Sequence, residues 1–170
     1  MNRKSIRILG LSLAIALLGC TPTPSVSAPP EVDEAIVAQA IDRPQSLPLT
    51  VQFEANGRTI RLEEARTPRQ REIGLMFRRR LGANRGMLFT FDSVQPLRFW
   101  MRNTLIPLDM VFLRNGVIQG IVRSAPPCTT PTCPTYGPDA PSNQVIELRG
   151  GRAAQLRLRV GQRLEIRSIE

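Results

Sequence analysis

Two Asn-Gly pairs, Asn56-Gly57 and Asn115-Gly116, constrain this chain more than any other feature. Each is flanked by runs in which apolar and polar residues alternate. Because Asn and Gly tolerate positive φ, each pair predicts a tight turn joining two antiparallel strands. The first hairpin would join Leu49–Glu54 to Arg58–Ala65, and the second Leu108–Arg114 to Gly116–Val122. Met87–Phe91, Leu97–Arg102, Gln144–Leu148 and Gln162–Ile169 read as further strands. Thr67-Pro68-Arg69-Gln70 has the form of a helix cap, a proline in the first turn and a glutamine three residues after the cap. This predicts a short helix to about Arg78, with Ile73, Met76 and Phe77 on one face. Arg152–Val160 allows a further helical turn. The expected fold is mainly β: a small antiparallel sandwich or barrel-like sheet of seven or eight strands with one short helix.

The chain before Leu49 has a different character. Arg3, Lys4 and Arg7 precede an uncharged stretch from Ile8 to Gly19. As a helix this stretch covers about 18 Å, against a hydrocarbon core of about 30 Å, which predicts a signal peptide over 1–19 and not a spanning helix. Leu17-Leu18-Gly19-Cys20 resembles the lipobox of bacterial lipoproteins, which implies that Cys20 becomes the lipidated first residue of the mature chain. The alternative is an ordinary signal peptide cut nearby, with Cys20 unmodified or discarded. Residues 20–48 are rich in proline and lack aromatic residues, so they read as a disordered tether. The expected organisation is therefore one domain over 49–170, lipid-anchored on the exported side of the membrane, at its periplasmic or extracellular face.

The formal charge is +9, and removal of Arg3, Lys4 and Arg7 leaves 20 − 14 = +6. Lys4 is the only lysine, so every positive side chain of the mature domain is an arginine, suited to gripping carboxylate or phosphate. The arginines are spread along the chain, and nucleic acid is not an expected partner. The histidine count is zero, which excludes Ser-His-Asp and Cys-His catalysis and the commonest metal ligand. No metal or cofactor is expected. Cys128 and Cys133 lie in a proline-rich loop, and in an oxidising compartment such a close pair is expected to form a structural disulfide. A redox pair or half of a zinc shell are the alternatives.

Alternation along Leu97–Arg102 sets Leu97, Phe99 and Met101 on a core face and Arg98, Trp100 and Arg102 on the other. The second face could be a stacking platform for a sugar ring or an anion, or Trp100 could cover a second apolar layer while the arginines snorkel outward. Asp109 and Glu147 both sit in apolar runs, where a carboxylate needs partners or a proton. Either could be a structural acid held by Arg66, Arg98 or Arg102. Alternatively the two could form a catalytic pair acting on a glycan. Arg69 and Arg71 in the first helical turn need acids opposite them, which Glu63 and Glu64 could supply locally, or else they join Arg66 and Arg78 in an anion-binding surface. Tyr136 could rim a site or close the cysteine loop.

Four blocks carry a resemblance: Ala65–Met76, Gly86-Met87-Leu88-Phe89, Phe99–Thr104 with Pro107-Leu108-Asp109-Met110, and Val145-Ile146-Glu147-Leu148. Together they resemble the bacterial and archaeal family known as domain of unknown function number 192, over essentially all of 49–170. The resemblance implies a compact, mainly β, sandwich-like domain, often exported, and no established reaction, ligand or catalytic residue. The leading expectation is a non-catalytic envelope binding or assembly module, with Arg66, Arg98, Trp100, Arg102, Asn103, Asp109 and Tyr136 edging a cleft for an acidic or carbohydrate ligand. A carboxylate-dependent hydrolase of envelope glycans and a purely structural lipoprotein are the alternatives.

Overall fold

The structure is a computed structural model that describes residues 43–169; Cys20, the signal-peptide stretch and most of the tether lie outside the described residues. Both Asn-Gly pairs make the expected turns, with φ of 48° and 66° at Asn56 and Gly57 and of 50° and 79° at Asn115 and Gly116. Strands β1 (Leu49–Ala55) and β2 (Arg58–Ala65) form the first hairpin, and β5 (Leu108–Arg114) and β6 (Val117–Ala125) the second. With β3 (Arg85–Gln95), β8 (Ser142–Arg149) and β9 (Arg167–Ser168) they build a seven-stranded sheet in the order β6-β5-β8-β3-β2-β1-β9. A separate two-stranded sheet pairs β4 (Phe99–Trp100) with β7 (Thr135–Tyr136).

The mainly β expectation holds, with differences that have physical causes. The large sheet is mixed, because β2 and β3 run parallel. Parallel neighbours cannot be joined by a hairpin, and residues 66–84 supply the crossover. Helix α1 (Pro68–Ile73) opens with the expected reciprocal cap: Gln70 N–H donates to Thr67 Oγ1 at 3.1 Å, and Thr67 N–H donates to Gln70 Oε1 at 3.0 Å. It stops short of Arg78 because Gly74 turns to φ 49° and ψ −128°, where a Cβ would lie 3.2 Å from Phe89 Cζ.

The strand expected over Leu97–Arg102 shrinks to β4, because the Met101 carbonyl accepts instead from the N–H groups of Thr104 at 3.0 Å and Cys128 at 3.2 Å. The expected last strand shrinks to β9. Its preceding residues bond β6 instead, through Ile118 N–H to Gln162 O at 2.9 Å and Leu164 N–H to Gly116 O at 2.8 Å. The C-terminal segment thus touches both edges of the sheet without closing it into a barrel. The allowed helical turn is α2 (Arg152–Gln155), a second short helix.

Both faces of the central strands are buried, so β5 is covered along all of Leu108–Leu113. Strand alternation sorts the core into two halves. On one face Leu88, Val111, Leu113, Ile146 and Leu148 pack with β1, β2 and the 153–164 segment. On the other, Met87, Phe89, Met110, Phe112 and Val145 pack with Leu75, Leu97 and Met101. The chain entering from the tether is clamped beside the second half: Arg78 makes two bonds of 2.6 Å to the Glu63 carboxylate and a third to Gln45 O, while Leu47 N–H donates to Glu63 at 2.7 Å.

Candidate ligand-binding site

A cavity of about 320 Å³ opens over the second half of the core. Helix α1 brings Arg71 and Glu72 to it, and the turn that Gly74 forces brings Ile73–Met76. Strand β3 contributes Phe89 and Phe91, the β4 stretch contributes Arg98, Phe99, Trp100, Arg102 and Thr104, and β8 contributes Glu147. The Phe99 ring stands edge-on to Phe89, Phe91 and Phe112, with centroids 5.0, 6.3 and 5.9 Å away, so the aromatic wall is fixed by packing.

The alternation expected of 97–102 survives even where the strand does not. Leu97 and Met101 are buried, whereas Arg98, Trp100 and Arg102 face outward, Trp100 being 44% exposed. Trp100 is therefore half-exposed beside the cavity, between two outward-facing arginines. Arg102 lies over its ring, 5.4 Å from the centroid. Among the described residues the Arg102 guanidinium has no hydrogen-bond acceptor and no ion pair. The other two arginines are occupied: Arg71 lies over Phe91 at 5.0 Å and donates to the carbonyls of Arg66 and Thr90, and Arg98 donates to Pro138 O at 2.8 Å and pairs with Asp139 at 3.1 Å.

Glu147 lies on the cavity wall and is 4% exposed. Its ladder neighbours are Met87 on β3 and Met110 on β5, and among the described residues its carboxyl bonds no protein group and opens onto the cavity. Burial raises its pKa from the ordinary 4.5 to about 8, with Arg78 opposing the shift. At neutral pH the group is mostly a neutral acid that can donate a hydrogen bond.

Asp109 has the opposite setting. It shares its face with Val111 and Leu113, so it points into the other half of the core. Its oxygens accept from Ser124 N–H at 2.7 Å, Gly151 N–H at 3.0 Å and Ala153 N–H at 2.7 Å. This carboxylate fixes the turn into α2 and is held by backbone, not by arginine. Asp109 and Glu147 lie on neighbouring strands but on opposite faces of the sheet, so they cannot flank one bond.

Arg98, Trp100 and Arg102 thus meet on the cavity, whereas Arg66, Asn103, Asp109 and Tyr136 do not line it. Arg66 is an exposed side chain paired with Glu64 at 2.8 Å. Asn103 works through its backbone, at φ 54°, accepting from Phe77 N–H and donating to Cys128 O. Tyr136 pairs with Phe99 in the small sheet and packs against the core. Arg69 pairs with Glu72 of its own helix, Glu63 is taken by Arg78 and Glu64 by Arg66, so among the described residues neither Glu63 nor Glu64 partners an α1 arginine. Glu72, Thr104, Phe89 and Phe91 were not legible as site residues, because they come together only through the crossover and the bend after Gly74. Glu147 carried a signal, an acid alternating with Val145 on a core face.

Cys128 and Cys133 form the expected disulfide, with Cα atoms 6.0 Å apart. Through its backbone Cys128 bonds Met101 and Asn103, so the closed loop braces the stretch that presents Arg102 and Thr104 to the cavity. Among the described residues no helix is long and apolar enough to cross a membrane, and no three His, Cys, Asp or Glu side chains are grouped to hold a metal.

Two solved structures are similar to the chain. A protein named as a candidate transcription regulator from Sinorhizobium meliloti is 38% identical, with a TM-score of 0.59 over 68% of this chain and 91% of that one. A protein of unknown function from Novosphingobium aromaticivorans is 31% identical, with a TM-score of 0.62 over 74% of this chain and 96% of the other. No curated protein matches the chain. Residues 51–166, which hold both hairpins, the cavity and the disulfide loop, match DUF192, a family described as "Uncharacterized ACR", and the chain belongs to that family.

Proposed function

We propose that the domain is a non-catalytic binding or assembly module, held at the cell envelope by lipid on Cys20, whose acidic or carbohydrate ligand occupies the cavity beside Trp100. The observation that carries this reading is Glu147, a buried acid with no protein partner among the described residues, on the wall of an open cavity. Its carboxyl meets the cavity and not another protein group, so a ligand atom seated there can complete its hydrogen bond. The exposed indole and the arginines around it suit a flat, oxygen-rich or anionic molecule. The disulfide supports an oxidising compartment. The reading does not extend to nucleic acid, because the site is a pocket and not a basic stripe.

Isothermal titration of wild type and Trp100→Ala against cell-wall fragments and anionic glycans tests it. Binding by wild type that Trp100→Ala loses supports the reading, and identical behaviour of the two proteins discards it. Location is tested separately: the mature protein should partition into detergent, and Cys20→Ala should abolish that.

A further inference from the structure

The cavity holds two side chains of unlike charge state whose polar atoms the described protein leaves free. Glu147 is inside, buried among Met87, Met110 and the aromatic wall. Arg102 is at the mouth, stacked on Trp100. The remaining charged lining groups are engaged: Arg71 by two backbone carbonyls, Arg98 by Pro138 and Asp139, and Glu72 by Arg69. Behind Glu147, Arg78 is committed to Glu63. Among the described residues the cavity therefore offers a ligand one cation without an acceptor and one buried acid, separated by aromatic surface.

We propose that the occupant is a sugar acid or a similar ring-bearing carboxylate: its ring lies on Trp100 and Phe99, its anion meets Arg102, and one of its oxygens hydrogen-bonds the Glu147 carboxyl. This rests on the binding-module reading and narrows its ligand to one class. An uncharged sugar would satisfy Glu147 but leave Arg102 unanswered, and a bare inorganic anion would leave the aromatic wall wet. The proton on Glu147 is part of the recognition. Once it is lost, the anion faces a buried carboxylate, so affinity is linked to pH. Because burial places that loss near pH 8, binding should be level below about pH 7 and weaken about tenfold per pH unit above 8.

The test is calorimetric titration of the full-length chain with D-glucuronate and with D-glucose, from pH 6 to 10, for wild type, Glu147→Gln and Trp100→Ala. Glucuronate should bind wild type at least tenfold more tightly than glucose at pH 6. Its affinity should fall above pH 8 in wild type and stay level in Glu147→Gln, whose amide donates a hydrogen bond but cannot ionise. The wild-type profile stands alone if the Gln variant does not fold. If glucose binds as well as glucuronate and Trp100→Ala loses both, the ligand class is wrong and the module reading survives. If neither sugar binds, while other fragments bind in a Trp100-dependent way, the ligand class again fails alone. If nothing binds, both fall. A level wild-type profile, or a parallel decline in Glu147→Gln, removes Glu147 from recognition.

Discussion

Asp109 and Glu147 sit on adjacent strands of one sheet, both buried, yet they have opposite roles. Asp109 collects three backbone N–H groups on the face that packs under α2, whereas Glu147 has no partner among the described residues and opens onto the cavity. The difference shows that burial alone does not assign a role to an acid. What decides it is whether the surrounding backbone turns donors toward it. Where it does, the carboxylate acts as part of the framework; where it does not, the acid keeps its proton and remains free to meet something else.

The comparison can be broken most forcefully at Asp109. Asp109→Ala leaves the N–H groups of Ser124, Gly151 and the buried Ala153 without their acceptor and should cost about 4 kcal/mol, read from urea unfolding, since a buried donor left unpaired costs about 1–3 kcal/mol and the two part-buried ones add less. A loss below about 1 kcal/mol would mean that the carboxylate is not holding the turn into α2. Next in size is Arg78→Ala, which leaves Glu63 buried with only Leu47 N–H and should cost about 3 kcal/mol, freeing the 43–48 segment to protease.

Glu147→Gln should change stability with the opposite sign. The folded protein keeps the Glu147 proton up to about pH 8, while the unfolded chain gives it up near 4.5, so the native state binds more protons between these limits. Wild-type stability should fall as pH rises through this window and level off above it, and the Gln variant should lack that component, so that its stability relative to wild type rises from pH 5 to pH 9. Equal pH dependence in both proteins would contradict this. Trp100→Ala should be smallest for stability, within about 0.5–1 kcal/mol by thermal melting, because the indole is exposed, and its effect should fall on ligand binding instead.

Much of this framework was legible in the residues. The two Asn-Gly turns, the Thr67–Gln70 cap, the alternation at 97–102 and the cysteine bridge are all local signals, and local chemistry sets them. The parallel pairing of β2 with β3 was not legible, because it depends on where the crossover packs and not on either strand's pattern. The site was half legible for the same reason. Arg98, Trp100 and Arg102 share one face of one segment, whereas Asp109, close to them in sequence, is sent by strand parity to the other side of the sheet.

Glu147 should hold its proton at neutral pH on the wall of an open cavity. Isotope-edited carboxyl NMR, with the Glu147 resonance assigned by its absence from Glu147→Gln, measures it directly. The account predicts a titration midpoint near pH 8 in the free protein, moving upward when an acidic ligand binds. A midpoint near the ordinary 4.5, unmoved by any ligand, would contradict it.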